Sequence, residues 1–590
     1  MHWRILSFKW LLTLLIPACP TAFFAQAGDM PSLRYEQDES LEWQEAIDYY
    51  AWLDEHYPQA RLLEAGSTDA GKPLHLFIIS VDELFSPEEA RMAGKTVVFI
   101  NNGIHPGEPC GVDASLKLAH GLLSGEDPYA RYLENTVVVI VPVFNVGGAL
   151  NRSPYHRANQ NGPLEQGFRG NARNLDLNRD FIKLDTRNTR SMTRILRSWE
   201  PELFIDTHTS NGADYPYAIT LINSHEQRHE PAQARFLREE LLPFLYGAMK
   251  ESPYEMSPYV WSYRDTPEQG IIAFMDYPRY TSGYASMYNS LAFTVETHMF
   301  KPFRDRVLSS WHLLREMTRF ASLHAAELLE VKALAWQEKL AREEFTLRWD
   351  LDTTRFDTLS FRGYAAKWAT SEVTGHQRLW YDRSEEWEKD IPYYKYFKSV
   401  KQATVPAYYV LSAAYGEVVE RLKLNKVQML PFERDTLMEL EVSYIRDFLT
   451  SRNPYNGHYW HHEVQTESRM EQVRVMAGDL LIPVRQKAME YLVQSLEPEG
   501  YDSFFSWNFF DEILSRKEYF SSYIFEETAL EILAGDSALN RAFLEKQEND
   551  REFAASPRAQ LRFIYERSPW SEATYRRYPV YRIREGNTSF

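Results

Sequence analysis

Six short apolar runs in the first three hundred residues constrain this chain more than any other feature. They are "PLHLFIIS", "KTVVFINNG", "NTVVVIVPVFN", "PELFIDTHTSNG", "YAITLIN" and "LAFTVETH". Each is rich in β-branched or aromatic residues, and most run into polar or glycine-containing loops. Continuous apolar runs of this length suit strands buried on both faces of a sheet. Helical segments such as "GVDASLKLAHGLLSG" and "DTRNTRSMTRILRSWE" lie between them, and the stretch from Leu41 to Tyr57 has helical spacing too. The alternation predicts an α/β fold, with a mixed, largely parallel central sheet flanked by helices. Ligand sites in such folds gather beyond the carboxyl ends of the strands.

A helical stretch from Asp305 to Glu344 is expected to close this first unit, residues 28–335. The remainder, residues 345–590, reads as a second mixed α/β domain with no assignable role. There "FTLRWDLDTTRFDTLSFRGYAAKWA" alternates like antiparallel strands, and "YYVLSAAYGEVVERLKLNKVQML" reads strand, helix, strand. "DSFFSWNFFDEILSRKEYFSSYIFEETALEILAG" reads as helix with a thick aromatic face. A length of 590 residues is enough for more than one core. The net charge of −18 argues against nucleic acid or an anionic membrane as a main partner.

The N-terminus has the layout of a secretory signal peptide over residues 1–27: Arg4 and Lys9, an apolar stretch, then Ala25-Gln26-Ala27. Pro17 and Pro20 interrupt the apolar run, which is too short to span a bilayer. The expectation is an exported chain, periplasmic or secreted, starting near Gly28 and without a transmembrane span. A lipid anchor through Cys19 is the alternative. If Cys19 is removed or lipidated, Cys110 has no disulfide partner, and it reads as a small semi-buried residue.

The chemistry concentrates in "NNGIHPGEPCGVDAS", where His105 and Glu108 follow a predicted strand. One His-x-x-Glu pair is weak evidence: about one arises by chance among 16 histidines. Three decoys resemble metal sites. His324 and Glu327 sit inside the long helical stretch. "HEQRH", His225 to His229, fits a zinc signature that needs helix, yet Pro231 places it in the loop before one. "GHYWHHEV" reads as an aromatic strand with His458 and His462 on one face and His461 on the other. The HPGE pair differs because "FIDTHTSNG" offers His208 and "FTVETH" offers Glu296 at two further strand ends. A catalytic zinc takes three protein ligands and leaves one position open.

The ordered set "HPGE", "YHRANQNGP", "NLDLNRDF", "DTHTS" and "FTVETH" resembles the zinc metallocarboxypeptidase family, carboxypeptidase A-like, and in particular bacterial exported members with an extra C-terminal region. The resemblance covers about Glu42 to Arg304. It implies one Zn2+ per chain on His105, Glu108 and His208, with Glu296 as general base and Arg157 facing the developing oxyanion. It implies that Asn178 and Arg179 grip the terminal carboxylate of a peptide substrate, and that Asp176 steadies the first zinc histidine. The tyrosine that caps the substrate is expected at Tyr280, with Tyr277 and Tyr284 also in range. His298 shares a strand face with Glu296 and is either a supporting residue or a plain packed one. The function implied is hydrolysis of the C-terminal peptide bond. The alternatives are a carboxypeptidase or amidase for cell-wall stem peptides, and an inactive peptide-binding protein of the same fold.

Overall fold

The computed structural model describes residues 32–128 and 130–584. The expected leader at residues 1–27, with Cys19, lies outside the described residues.

The six expected strands form, joined by two more at the edges. In chain order they are β1 (Ala60–Ser67), β2 (Pro73–Ile79), β3 (Thr96–Asn101), β4 (Thr136–Val141), β5 (Leu203–Ser210), β6 (Ile219–Asn223), β7 (Met256–Pro258) and β8 (Leu291–His298). They make one eight-stranded sheet in the order β1-β2-β4-β3-β5-β8-β6-β7. The four central strands, β4, β3, β5 and β8, run parallel. β2 pairs antiparallel with β1 and β4, and β6 pairs antiparallel with β8. The parallel centre follows from the sequence: Val137 to Val141 and Val97 to Ile100 are buried throughout, as two-sided strands must be.

Strand alternation divides the core in two. Val98, Ile100, Val138, Ile140, Ile205 and Phe293 face α1 (Trp43–His56), α2 (Cys110–Ser124) and α4 (Phe303–Leu323). Val97, Phe99, Val137, Val139 and Phe204 face the other way, toward α3 (Arg187–Trp199). That second core does not stop at the end of the first unit. It continues without interruption through Phe345, Tyr409, Tyr491, Phe504 and Trp507, all contributed by the C-terminal region.

Two helical expectations are corrected. The stretch from Asp305 to Glu344 is not one helix: α4 ends at Leu323, and α5 (Ala325–Leu340) begins after His324, whose backbone leaves the helical region (φ −110, ψ 26). "DSFFSWNFF" is not helical either. Ser503 and Ser506 turn the chain by bonding locally: the Ser506 N–H donates to Ser503 Oγ at 3.0 Å, and Ser506 Oγ donates to the Gly500 carbonyl at 2.9 Å. The turn lets Phe504, Phe505, Trp507 and Phe510 enter the core in different directions, and the helix starts only at Ser522.

The C-terminal region is mixed α/β, as expected. It carries a long hairpin, Asp357–Thr370 with Gln377–Tyr394, a six-stranded sheet and a terminal group of helices. In that sheet Val580–Ile583 is an interior strand, between Tyr408–Leu411 and Thr436–Thr450.

Candidate active site

The HPGE segment is a tight turn between β3 and α2, closed by the Glu108 N–H donating to the His105 carbonyl at 2.8 Å. Two glycines let it pack hard against its surroundings. A Cβ on Gly107 would lie 2.7 Å from Arg157 Nε, and one on Gly111 would lie 1.9 Å from Thr207 Oγ1. α2 therefore rests directly on β5, the strand that carries His208. β5 and β8 run in register, with Glu296 opposite His208.

Among the described residues, one group of three has the makings of a metal centre: His105, Glu108 and His208, all buried, with ligand atoms within 4.8 Å of one another. His105 Nδ1 and His208 Nδ1 face each other at 3.2 Å, and Glu108 lies 3.3 Å and 3.0 Å from them. The opposite ring nitrogens are taken: His105 Nε2 by Asp176 and His208 Nε2 by Asp206, each at 3.0 Å. Each carboxylate favours the proton on Nε2, which leaves both Nδ1 lone pairs aimed at the Glu108 carboxylate. Two lone pairs and an anion converging in a buried space repel unless a cation sits among them. Burial alone would lower the His208 pKa, yet Asp206 and Glu108 together raise it well above the ordinary value. The residues fit a zinc ion: two imidazoles and one carboxylate are a catalytic zinc donor set.

Around this group stand the other expected residues. Glu296 is half-buried, and its buried Oε2 lacks any hydrogen-bond partner among the described residues. Burial, helped by the Glu108 charge and opposed by His208, pushes its carboxyl up to about 8. Arg157 donates to Glu108. Asn178 and Arg179 occupy a short 3-10 turn, Leu177–Arg179, capped by the Asp176 carboxylate accepting the Asn178 N–H at 2.9 Å. The Arg179 guanidinium lies over the Tyr280 ring, 4.6 Å from its centre. These residues share one pocket of about 240 Å³ with His105, Glu108, His208 and Glu296.

Sequence reasoning missed Arg169, which lines the same pocket. Its Nε donates to Asp176 Oδ2 at 3.0 Å, and its NH1 reaches Glu108 at 3.5 Å. Like Arg157, it holds the Glu296 pKa down. The available signal was an arginine between Gly167 and Gly170, in the loop leading to the LNRDF segment.

The remaining candidates separate cleanly. Tyr284 is core, with its hydroxyl on Asn425 at 2.6 Å. The Tyr277 hydroxyl donates to the Trp349 carbonyl at 3.0 Å, and its ring stacks on Tyr501. Of the three tyrosines, only Tyr280 lines the pocket. His298 packs against Tyr215 and pairs with Asp214 at 3.1 Å, so it is a buried structural histidine. His225 and His229 flank a 3-10 turn before the helix that begins at Pro231. They bond the Lys395 carbonyl and Ser224 Oγ, and burial pushes them down to about 4 and about 3. His324 and Glu327 pair on the surface. His458 is not on a strand: it lies in the turn before the strand His461–Val475, paired with Asp185 at 2.8 Å.

Residues 47–238 match the family model described as zinc carboxypeptidase. This segment carries a zinc carboxypeptidase domain. The metallocarboxypeptidase is also similar to the carboxypeptidase 2 of Trichophyton tonsurans, at 21% identity over 428 residues, covering 70% of this chain and 74% of that one. Carboxypeptidase 2 of Trichophyton rubrum is 25% identical over 146 residues, 25% of this chain and 24% of that one. Among solved structures, a metallo-carboxypeptidase from Burkholderia cenocepacia is similar, with a TM-score of 0.37 and 18% identity, over 49% of this chain and 70% of that one. Among the described residues, no helix of the metallocarboxypeptidase is long and apolar enough to cross a membrane.

Proposed function

We propose that this metallocarboxypeptidase removes the last residue from peptides ending in a free carboxylate, with one Zn2+ per chain on His105, Glu108 and His208. One observation carries the reading. A single pocket has the metal-ligand group and Glu296 among its lining residues, together with Asn178 and Arg179, which suit a carboxylate. An enzyme that cuts next to a chain end needs both functions within one residue's length.

A zinc ion held there supplies Lewis acidity, lowering the pKa of a water to near 7 and polarising the peptide carbonyl. The protein's own groups do the rest. Glu296 Oε2, without a hydrogen-bond partner among the described residues, accepts the proton given up by the attacking water and passes it to the leaving amine. Arg157 and Arg169 present positive charge to the oxygen of the carbonyl under attack, stabilising the transition state more than the ground state. Arg179 pairs the terminal carboxylate through its planar fork, and Asn178 adds a polar contact. Tyr280, which lines the pocket beside Arg179, covers the bound residue. Asp176 holds the His105 proton on Nε2. Ile222, Phe274 and Thr294 line the wall nearby and offer no charge, which favours a neutral or apolar terminal residue. We further propose export, on the strength of the leader at residues 1–27.

The test pairs zinc analysis with the cleavage of one short peptide, carried as the free acid and as the C-terminal amide, in the wild type and in Glu296→Gln. Both proteins should hold one zinc. The variant should lose about 10²- to 10⁴-fold in turnover, the range of a general base. Equal cleavage of acid and amide removes the role given to Arg179, and persisting turnover in the variant removes that of Glu296.

A further inference from the structure

We propose that the turn at Tyr455 and Asn456, delivered by the C-terminal region, is a positioning element of the active site. It aims Arg179 and fixes the backbone that carries Asp176. This inference rests on the reading of Arg179 as the carboxylate clamp.

A guanidinium offers five N–H donors and turns freely about its last bonds unless several are held. Here Nε of Arg179 donates to the Tyr455 hydroxyl at 2.8 Å, and NH1 donates to the Asn178 carbonyl at 2.8 Å. Its flat face rests on Tyr280. These three constraints leave NH2 as the terminal nitrogen without a hydrogen-bond partner among the described residues. Tyr455 does not line the pocket; it acts on Arg179 from behind.

Asn456 does the same for the metal side. Its Oδ1 accepts the Asp176 N–H at 2.7 Å, and its Nδ2 donates to the Asp176 carbonyl at 3.1 Å. One side-chain amide thus satisfies both backbone groups of the residue whose carboxylate orients His105. The turn is itself anchored. Asn456 takes the left-handed conformation (φ 49) that asparagine tolerates. The Tyr455 ring stacks on the buried Trp507, with 5.9 Å between centres. His458 pairs with Asp185 at 2.8 Å, and Lys183 Nζ reaches the Asn456 carbonyl at 3.5 Å. An accessory region that only packed against the catalytic half would have no reason to address these two residues by side-chain hydrogen bonds.

Tyr455→Phe in the full chain removes one oxygen and keeps the ring. For a free-acid peptide, KM should rise about tenfold with kcat changed less than about threefold, and the melting temperature should stay within about 2 °C. Asn456→Ala should weaken zinc about tenfold in a chelator competition, a readout independent of turnover. Wild-type kinetics in Tyr455→Phe, or losses in KM, kcat and melting temperature that move together, overturn the proposal. Should Tyr455→Phe fail to fold, the zinc-loaded Glu296→Gln chain is solved with a bound N-acyl amino acid. Tyr455 Oη must then stay within about 3.2 Å of Arg179 Nε while the carboxylate sits on Arg179; separation of the two overturns the proposal. Acid and amide peptides are compared in the wild type alongside. A wild type with no preference for the acid overturns the clamp reading itself. A clear preference combined with an indifferent Tyr455→Phe overturns this inference alone.

Discussion

Asp113 shows how far a single buried group can bias the molecule. It lies in the first turn of α2, wholly buried, and burial pushes its carboxyl up to about 8 against smaller pulls from the Leu41 backbone, Arg34 and Arg152. In the unfolded chain an aspartate titrates near 3.9. The folded state therefore holds the proton more tightly. The stability this group lends is complete below about pH 4 and is lost as pH rises through about 8. Asp113→Asn cannot lose a proton. Urea denaturation of wild type and variant should give curves that diverge steadily between about pH 4 and about pH 8, with the wild type losing ground. Parallel curves would mean that the carboxylate is not buried in this way. His225 and His229 act with the opposite sign. Their folded pKa values are depressed, so their contribution is present above about 6.5 and is lost as pH falls toward about 4 and about 3.

At the scale of elements, the contact between α2 and β5 ties packing to chemistry. Gly111 has no room for a side chain, because Thr207 Oγ1 would sit 1.9 Å from its Cβ. Gly111→Ala must push α2 off β5, separating the turn that holds Glu108 from the strand that holds His208. Overpacking of this kind costs about 1–3 kcal/mol. The expected result is a lower denaturation midpoint together with weaker zinc retention; a variant with normal zinc content would show that the turn moves independently of the helix. The parts of this site carried by strand ends were legible in the sequence, because apolar runs mark strands and the residue after a run is placed by the sheet. His105, His208 and Glu296 were reached that way. Arg169 was not, since it sits in an irregular loop whose path depends on Gly167 and Gly170 packing against Pro106 and Asn174. Helical periodicity misled twice, at His324 and at Phe504 to Phe510. In both places local side-chain contacts accompany the departure: the His324 ring stacks on Phe320, and the aromatic turn is shaped by serine hydroxyls. The nature of the contact between the two halves was not legible at all, because a buried aromatic residue looks the same whether it packs within its own region or across to another.

At the scale of the whole molecule, the shared core makes the two halves interdependent. Lys339 and Glu490 are buried and paired at 2.7 Å, with Arg228 3.5 Å from the same carboxylate. Removing one side of such a group strands the other charge in a low-dielectric interior, which costs several kcal/mol. A chain cut after Leu340 would also strip the buried Tyr284 and Tyr288 hydroxyls of their partner Asn425. It should fail to show a cooperative melting transition in calorimetry, whereas the full chain should melt the two halves together. Two separate transitions in the full chain would contradict a continuous core. The interior place of Val580–Ile583 in its sheet has a consequence in time. The ribosome releases Arg179 about 400 residues before that strand, an interval of about 20–80 s at ordinary rates of synthesis. Throughout that delay the sheet behind Tyr455 stands open at its middle, and the turn that addresses Arg179 and Asp176 waits for its backing strand.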